Sequence, residues 1–136
     1  MNNFIAGWKK AYRHDLTPEE KENLTKYYQR CRKTYIVWIL AFLSLAGGPI
    51  YMIRKEIFNP SIFYFSSSLF LLFLGVGFIW NGKISQQMKI FHSEVFPSLY
   101  PLVIGAAALF GGKIYFYLGW AIVAISVILF LIGWWI

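Results

Sequence analysis

The chain has 136 residues, of which 58% are hydrophobic and 14% are charged, and its formal net charge is +7. Charged residues make up about a quarter of an ordinary soluble domain, so this composition argues against a soluble globular protein and favours a membrane protein. The basic excess is greatest in residues 1–34, which are too few to bury a core of their own. A basic segment tethered to a bilayer meets anionic lipid headgroups first, so we expect membrane lipids as partners and no nucleic acid.

The first part of this N-terminal arm has the pattern of an amphipathic helix. Aromatic and aliphatic residues recur at three- and four-residue spacing over residues 4–12, and cations fill the opposite side. Such a helix suits the plane of the lipid headgroups, although a frayed terminus fits the pattern equally well. The residues predicted to contact the membrane surface are Trp8, Lys9, Lys10, Arg13, Arg30, Arg32 and Lys33.

A second helix is predicted to begin at Pro18, because Thr17 is a good N-cap and Glu20 completes a capping box. No helix-breaking residue follows before Ile39, so we expect one unbroken helix into the first membrane span. An aromatic and aliphatic stripe along it predicts a packing face against another helix or a partner. Cys31 is the single cysteine; we interpret it as an unmodified thiol, with palmitoylation as the alternative.

Residues 35–53 are apolar or small and would form a helix of about 29 Å, close to a hydrocarbon core of about 30 Å. The cations just before this segment predict that the N-terminus stays in the cytoplasm. The apolar run starts too late and is too long for a cleaved signal peptide, so we expect no processing. Gly47, Gly48 and Pro49 predict a kink in this span.

The second predicted span covers residues 62–80 and follows a turn at residues 59–61. Residues 81–83 have the pattern of a helix C-cap. Apolar positions at four-three-four spacing then predict a short amphipathic helix over residues 84–96 on the cytoplasmic face.

The third predicted span covers about residues 96–110 and is separated by a turn at residues 111–113 from a fourth over residues 114–136. The turn places Lys113 at an interface, because a lysine at mid-membrane is costly. Small residues predict close helix packing, and the residues assigned to it in the whole chain are Gly47, Gly48, Gly105, Ala108 and Gly112.

The predicted fold is therefore all-α: a multi-pass bundle of four transmembrane helices over residues 35–136, with an amphipathic helical arm over residues 1–34. Four spans place both termini in the cytoplasm. The residue usage suggests a bacterial cell membrane as the location.

Few residues offer chemistry. With two histidines, one cysteine and six acids, we expect no metal site and no cofactor. His92 and Glu94 are the one candidate catalytic pair, but a spacing of two residues places them on different faces of a helix. The four predicted spans contain no charged residue or histidine, which argues against a proton-driven transporter.

The leading hypothesis is a non-catalytic protein that binds another membrane protein or itself, as an accessory subunit of a complex or an immunity-type protector. The alternative is a homo-oligomeric channel or facilitator, with walls built from Tyr64, residues 66–68 and the glycine-rich third span. A weaker alternative is a lipid-modifying enzyme that uses His92 and Glu94.

Overall fold

The computed structural model describes residues 18–92 and 103–136, and these are mostly helical. Two strands of two residues each pair antiparallel, with Ile90 opposite Ile104. They add a small β-ladder that the all-α prediction did not contain. The elements in chain order are α1 (Pro18–Arg32), α2 (Tyr35–Lys55), α3 (Pro60–Met88), β1 (Ile90–Phe91), β2 (Val103–Ile104) and α4 (Ala106–Trp135).

Helix α1 includes Pro18, the first described residue, and the predicted unbroken helix into the first span is interrupted by a two-residue turn. A turn at Lys33 and Thr34 separates α1 from α2. The Lys33 amide bonds the Arg30 carbonyl at 3.3 Å, a tight three-residue spacing. Thr34 is fully buried, and its carbonyl accepts the amides of Val37 and Trp38, so the second helix restarts from it.

Helix α2 continues through Pro49 and ends at Lys55, where Glu56 adopts a left-handed conformation with φ of 53°. The next helix begins at Pro60, whose missing amide hydrogen costs little in a first turn. Asn59 precedes it, and its side-chain oxygen accepts the Ser61 amide at 3.0 Å. The predicted turn between the first two spans is thus present, and it is closed by Asn59.

Helix α3 runs to Met88, so the predicted helix end at residues 81–83 is wrong, as is the separate amphipathic helix over residues 84–96. Lys89 has φ of 55°, which ends the helix, and β1 follows directly. Gly82 lies inside the helix. Its lack of a side chain allows close contact with another helix and does not end α3.

Helix α4 is continuous from Ala106 to Trp135, so the predicted turn at residues 111–113 is wrong. The predicted spans over 96–110 and 114–136 do not form two separated helices in the described residues; residues 96–102 lie outside them. Lys113 is exposed within the helix. In the described part of the chain, three helical segments are long and apolar enough to cross a membrane.

The chain divides into two compact units. The first comprises the described residues up to Lys33 and those from Trp80 to Phe116. Its buried side chains include Tyr27, Ile84 and Ile90, against which the stripe of α1 packs. The predicted packing role of that stripe is therefore confirmed; the residues concerned are Leu24, Tyr27, Tyr28 and Cys31.

The second unit comprises Thr34–Ile79 and Tyr117–Ile136. It buries Val37, Ala41 and Met52, while many of its largest apolar side chains stay exposed. Phe58 is 81% exposed and Trp135 is 90% exposed. A water-soluble protein rarely leaves apolar surface of this extent uncovered.

Candidate functional site

The first unit holds a group of polar side chains between α1, α3 and the end of β1, which we call the tyrosine cluster: Tyr27, Tyr28, Ser85 and His92. The Tyr27 hydroxyl lies 3.1 Å from the Ser85 hydroxyl and donates to the His92 carbonyl at 3.3 Å. Because that bond uses the one Tyr27 proton, Ser85 donates to Tyr27. Tyr27 is 3% exposed and Ser85 is fully buried.

The neighbouring Tyr28 holds the His92 ring. Its hydroxyl lies 2.5 Å from Nδ1 of His92, and the two ring centroids are 5.8 Å apart. Consecutive tyrosines on α1 therefore bind both the backbone and the side chain of one residue that follows β1. The cluster fixes the end of that strand against α1.

The hydrogen bonds of the tyrosine cluster have a structural role, because they hold α1 against α3 and the residue after β1. Burial raises the pKa of the Tyr27 hydroxyl, and the nearby Cys31 thiol adds to the rise. Tyr27 is therefore neutral at physiological pH and cannot take a proton from Ser85. Glu94, the predicted catalytic partner of His92, lies outside the described residues.

The described residues contain no group of three or more His, Cys, Asp or Glu side chains that could hold a metal ion. The expectation of no metal site remains a prediction for the chain as a whole.

In the second unit, serine hydroxyls bond backbone carbonyls. Ser68 donates to the Ser126 carbonyl at 2.7 Å, and Ser126 donates to the Val123 carbonyl at 2.6 Å. Ser66 and Ser68 are 7% and 6% exposed. Two of the three serines proposed for a channel wall are thus buried, and their hydroxyls bond within the chain.

The Ser66 hydroxyl supports the helix at Pro49. A proline has no amide hydrogen, so Pro49 cannot bond the Leu45 carbonyl one turn earlier. Ser66 of α3 donates to the Ser44 carbonyl and lies 3.4 Å from the Leu45 carbonyl oxygen. A hydroxyl of α3 therefore supplies a hydrogen bond near the position where Pro49 interrupts the backbone hydrogen bonds of α2.

An open apolar groove of about 370 Å³ lies beside this bond, and we call it the Gly47 groove. Its α2 side is formed by Ser44, Gly47, Gly48 and Tyr51, and its α3 side includes Phe65 and Leu69. The Ser44 hydroxyl bonds the Leu40 carbonyl of its own helix at 2.8 Å. The surface presented to a ligand is therefore apolar and shallow on its glycine side.

Gly47 differs from the other glycines of the helices. Among the described residues, only Gly47 and Gly105 have nothing within 4 Å of the place where a side chain would begin. Gly105 follows β2 and has φ of +87°, a conformation that itself favours glycine. Gly47 has no such backbone requirement, and it faces an open groove.

The remaining helix glycines make close contacts within their own unit. A Cβ added at Gly119 would lie 2.6 Å from the Gly75 carbonyl oxygen, and one at Gly82 would lie 2.6 Å from that of Gly112. These contacts join α3 to α4 with almost no separation. Gly48 likewise has the Ser66 side chain where its own would lie, at 2.6 Å.

The predicted site residues are distributed as follows. Gly48, Ala108 and Gly112 are in packed positions, while Gly47 and Gly105 are open. The predicted surface cations Arg30, Arg32 and Lys33 are exposed at the end of α1 and in the following turn. The other predicted surface residues, Trp8, Lys9, Lys10 and Arg13, lie outside the described residues.

Sequence reasoning missed Gly75, Gly82 and Gly119. The seven-residue spacing from Gly75 to Gly82, repeated from Gly112 to Gly119, is the signal that predicts such a contact.

Comparisons of the chain with protein-family models, with curated proteins and with solved structures return no match. The class of protein therefore follows from the fold alone: a mostly helical chain with three helices long and apolar enough to cross a membrane.

Proposed function

We propose that this chain is an integral membrane protein that crosses the bilayer three times and acts by binding another membrane protein in the Gly47 groove. Residues 35–53, 60–79 and 117–136 contain no charged side chain. Each is about 30 Å long as a helix, which matches the hydrocarbon thickness of about 30 Å. The exposed apolar side chains of the second unit are then covered by lipid.

Three crossings place the two ends of the described chain on opposite sides of the membrane. The arm, Lys83, Lys89 and Lys113 fall on one side, whereas Arg54 and Lys55 fall on the other. Cations are retained in the cytoplasm, so α1 lies inside the cell and the end of α4 lies outside. This arrangement replaces the sequence-based expectation that both termini are cytoplasmic.

The open Gly47 position carries the proposal of a binding function. Glycines in membrane helices allow the close approach of another backbone. The other glycines within the three crossing segments already meet backbone or side-chain atoms of this chain. Gly47 leaves one face of α2 without a side chain, next to a groove that opens outward. A helix of a partner subunit fits this surface, as in an accessory subunit of a complex or an immunity-type protector.

The two alternative functions have less support. A channel wall needs exposed polar groups, but the Ser66 and Ser68 hydroxyls donate hydrogen bonds to backbone carbonyls of their own unit. A lipid-modifying enzyme needs an activated base, and the Nδ1 atom of His92 is bonded by Tyr28. Among the described residues suggested for these functions, Ser66, Ser68 and the Nδ1 atom of His92 are engaged in hydrogen bonds within the chain.

The test compares Gly47→Leu with Ala46→Leu in tagged protein extracted in a mild detergent from its native host. Ala46 is the matched control because it is adjacent and exposed but does not line the groove. We expect wild type and Ala46→Leu to purify with a second chain, and Gly47→Leu to purify without it. Mass measurement of the intact particle distinguishes a different protein from a second copy.

A monomeric wild-type particle, or equal recovery of the partner with both variants, contradicts a binding role for the groove. Circular dichroism of each purified variant checks that the helices are retained.

A further inference from the structure

Exposed lysines lie next to the ends of the proposed crossing segments on one side of the membrane. Lys33 lies two residues before the first segment, Lys83 lies one turn after the second, and Lys113 lies one turn before the third. All three side chains are exposed. Each of the three proposed crossing segments therefore has a cation beside its end at the same boundary.

These lysines are free to bind an external anion. Among the residues that the structure describes, none of the three makes an ion pair with an acid. The Lys83 ammonium lies 6.0 Å from the centre of the Phe116 ring, which leaves its hydrogens available to a further partner. By contrast, Lys26 is paired with Glu22 on α1 at 3.4 Å.

The opposite boundary is different in composition. Its cations are Arg54 and Lys55, and Glu56 follows them directly in the turn to α3. These three residues have a net charge of +1, whereas Lys33, Lys83 and Lys113 together carry +3.

We infer that Lys33, Lys83 and Lys113 bind the phosphate groups of anionic phospholipids in the leaflet on the N-terminal side. Long lysine side chains at helix ends extend to the headgroup region, and anionic lipids concentrate beside such cations. The lysines flank the ends of three proposed membrane segments, so the surface fits a lipid annulus better than a nucleic acid or an acidic peptide. This inference depends on the proposed membrane insertion.

The test measures lipid association in vesicles of phosphatidylcholine and phosphatidylglycerol that contain the full chain. Spin-labelled forms of the two lipids, with identical acyl chains, report the fraction immobilised against the protein by electron spin resonance. Three proteins are compared: wild type, the double variant Lys83→Gln with Lys113→Gln, and the control Lys21→Gln with Lys26→Gln. Both double variants lose the same charge, but the control lysines lie in α1, at least nine residues before the first crossing segment in the sequence.

Wild type and control should prefer phosphatidylglycerol, and the Lys83 and Lys113 variant should lose most of that preference. One cation near an anionic surface contributes about fivefold in binding, which sets the scale of the change. Salt of about 1 M, where charges are screened within about 3 Å, should remove the preference of wild type.

Equal immobilisation of the two lipids by wild type, or equal losses in the two double variants, overturns the inference while leaving membrane insertion intact. Failure of wild type to enter the bilayer overturns both.

Discussion

Tyr27 is the residue on which the polar contacts of the first unit converge, since its hydroxyl meets both Ser85 and the His92 carbonyl. A buried hydroxyl without a hydrogen-bond partner destabilises the folded state. Replacing Tyr27 therefore also leaves the Ser85 hydroxyl without its partner. Among the described residues the Ser85 hydroxyl has no other hydrogen-bond partner, and Ser85 is fully buried. We therefore expect Tyr27→Phe to lower the free energy of unfolding by about 1–3 kcal/mol at neutral pH.

The pH dependence of stability tests the buried state of Tyr27. The folded pKa is raised, whereas an unfolded tyrosine ionises near pH 10. Above about pH 10 the unfolded state releases a proton that the folded state retains, so stability is full below that pH and falls above it. Tyr27→Phe should lack this part of the decline, and its deficit relative to wild type should shrink between pH 8 and pH 11.

Ser85→Ala is the control for this prediction, because it removes the same hydrogen bond and keeps the tyrosine that titrates. Unfolding in mixed micelles, followed by circular dichroism at each pH, provides the measurement. If Tyr27→Phe and Ser85→Ala lose stability with the same pH slope, Tyr27 is not the buried acid described here.

At the residue scale, the sequence predicts which side chains of α1 pack but not what they touch. The spacing of Leu24, Tyr27 and Tyr28 marks one face of a helix, and that face is buried. Ser85 and His92 are far away in the chain, and no local pattern connects them to α1. Their pairing depends on the tertiary fold, which periodicity does not encode.

At the scale of elements, α3 and α4 meet through glycines that have no side chain at the contact. Gly75 pairs with Gly119, and Gly82 pairs with Gly112, so close packing compensates for the low helix propensity of glycine, which costs about 1 kcal/mol per residue. This explains why both helices continue through positions where glycine normally suggests an end.

Gly119→Ala should destabilise the chain, whereas Gly47→Ala should not. The added methyl group at Gly119 meets the Gly75 carbonyl oxygen, which belongs to rigid backbone, and overpacking of this kind costs about 1–3 kcal/mol. At Gly47 the methyl group meets open space, and alanine improves helix propensity. Reversible unfolding in mixed micelles measures both variants, and equal effects contradict the glycine contact.

The sequence alone predicts the existence of the apolar helices but not all of their ends. Asn81, Gly82 and Lys83 have the composition of a C-cap, and Gly111 with Gly112 has that of a turn. A glycine can end a helix or allow another helix to pack closely against it. Which of the two occurs depends on whether another helix packs there, which the local sequence does not show. The end of α2 at Lys55, which depends on local charge and a turn, was predictable.

At the scale of the whole molecule, the proposed number of membrane crossings determines which side of the membrane each end occupies. Single cysteines on a Cys31→Ser background test this: Gln29→Cys, Ile57→Cys and Ile136→Cys, all at exposed positions. A membrane-impermeant maleimide applied to intact cells should label positions 57 and 136 and spare position 29. Permeabilised cells serve as the control, in which all three should react.

Protection of position 136 in intact cells, with labelling after permeabilisation, contradicts three crossings and supports an even number. Labelling of position 29 in intact cells contradicts the orientation itself.

The bond from Ser66 to the carbonyls before Pro49 has a consequence for biosynthesis. In the membrane-spanning arrangement proposed above, an α2 that enters the bilayer before α3 has no Ser66 hydroxyl near the Leu45 carbonyl, and Pro49 offers that carbonyl no amide hydrogen. The hairpin of α2 and α3 relieves this as soon as the second helix arrives. The insertion machinery should therefore retain the first helix until the second has been synthesised, and release the two together.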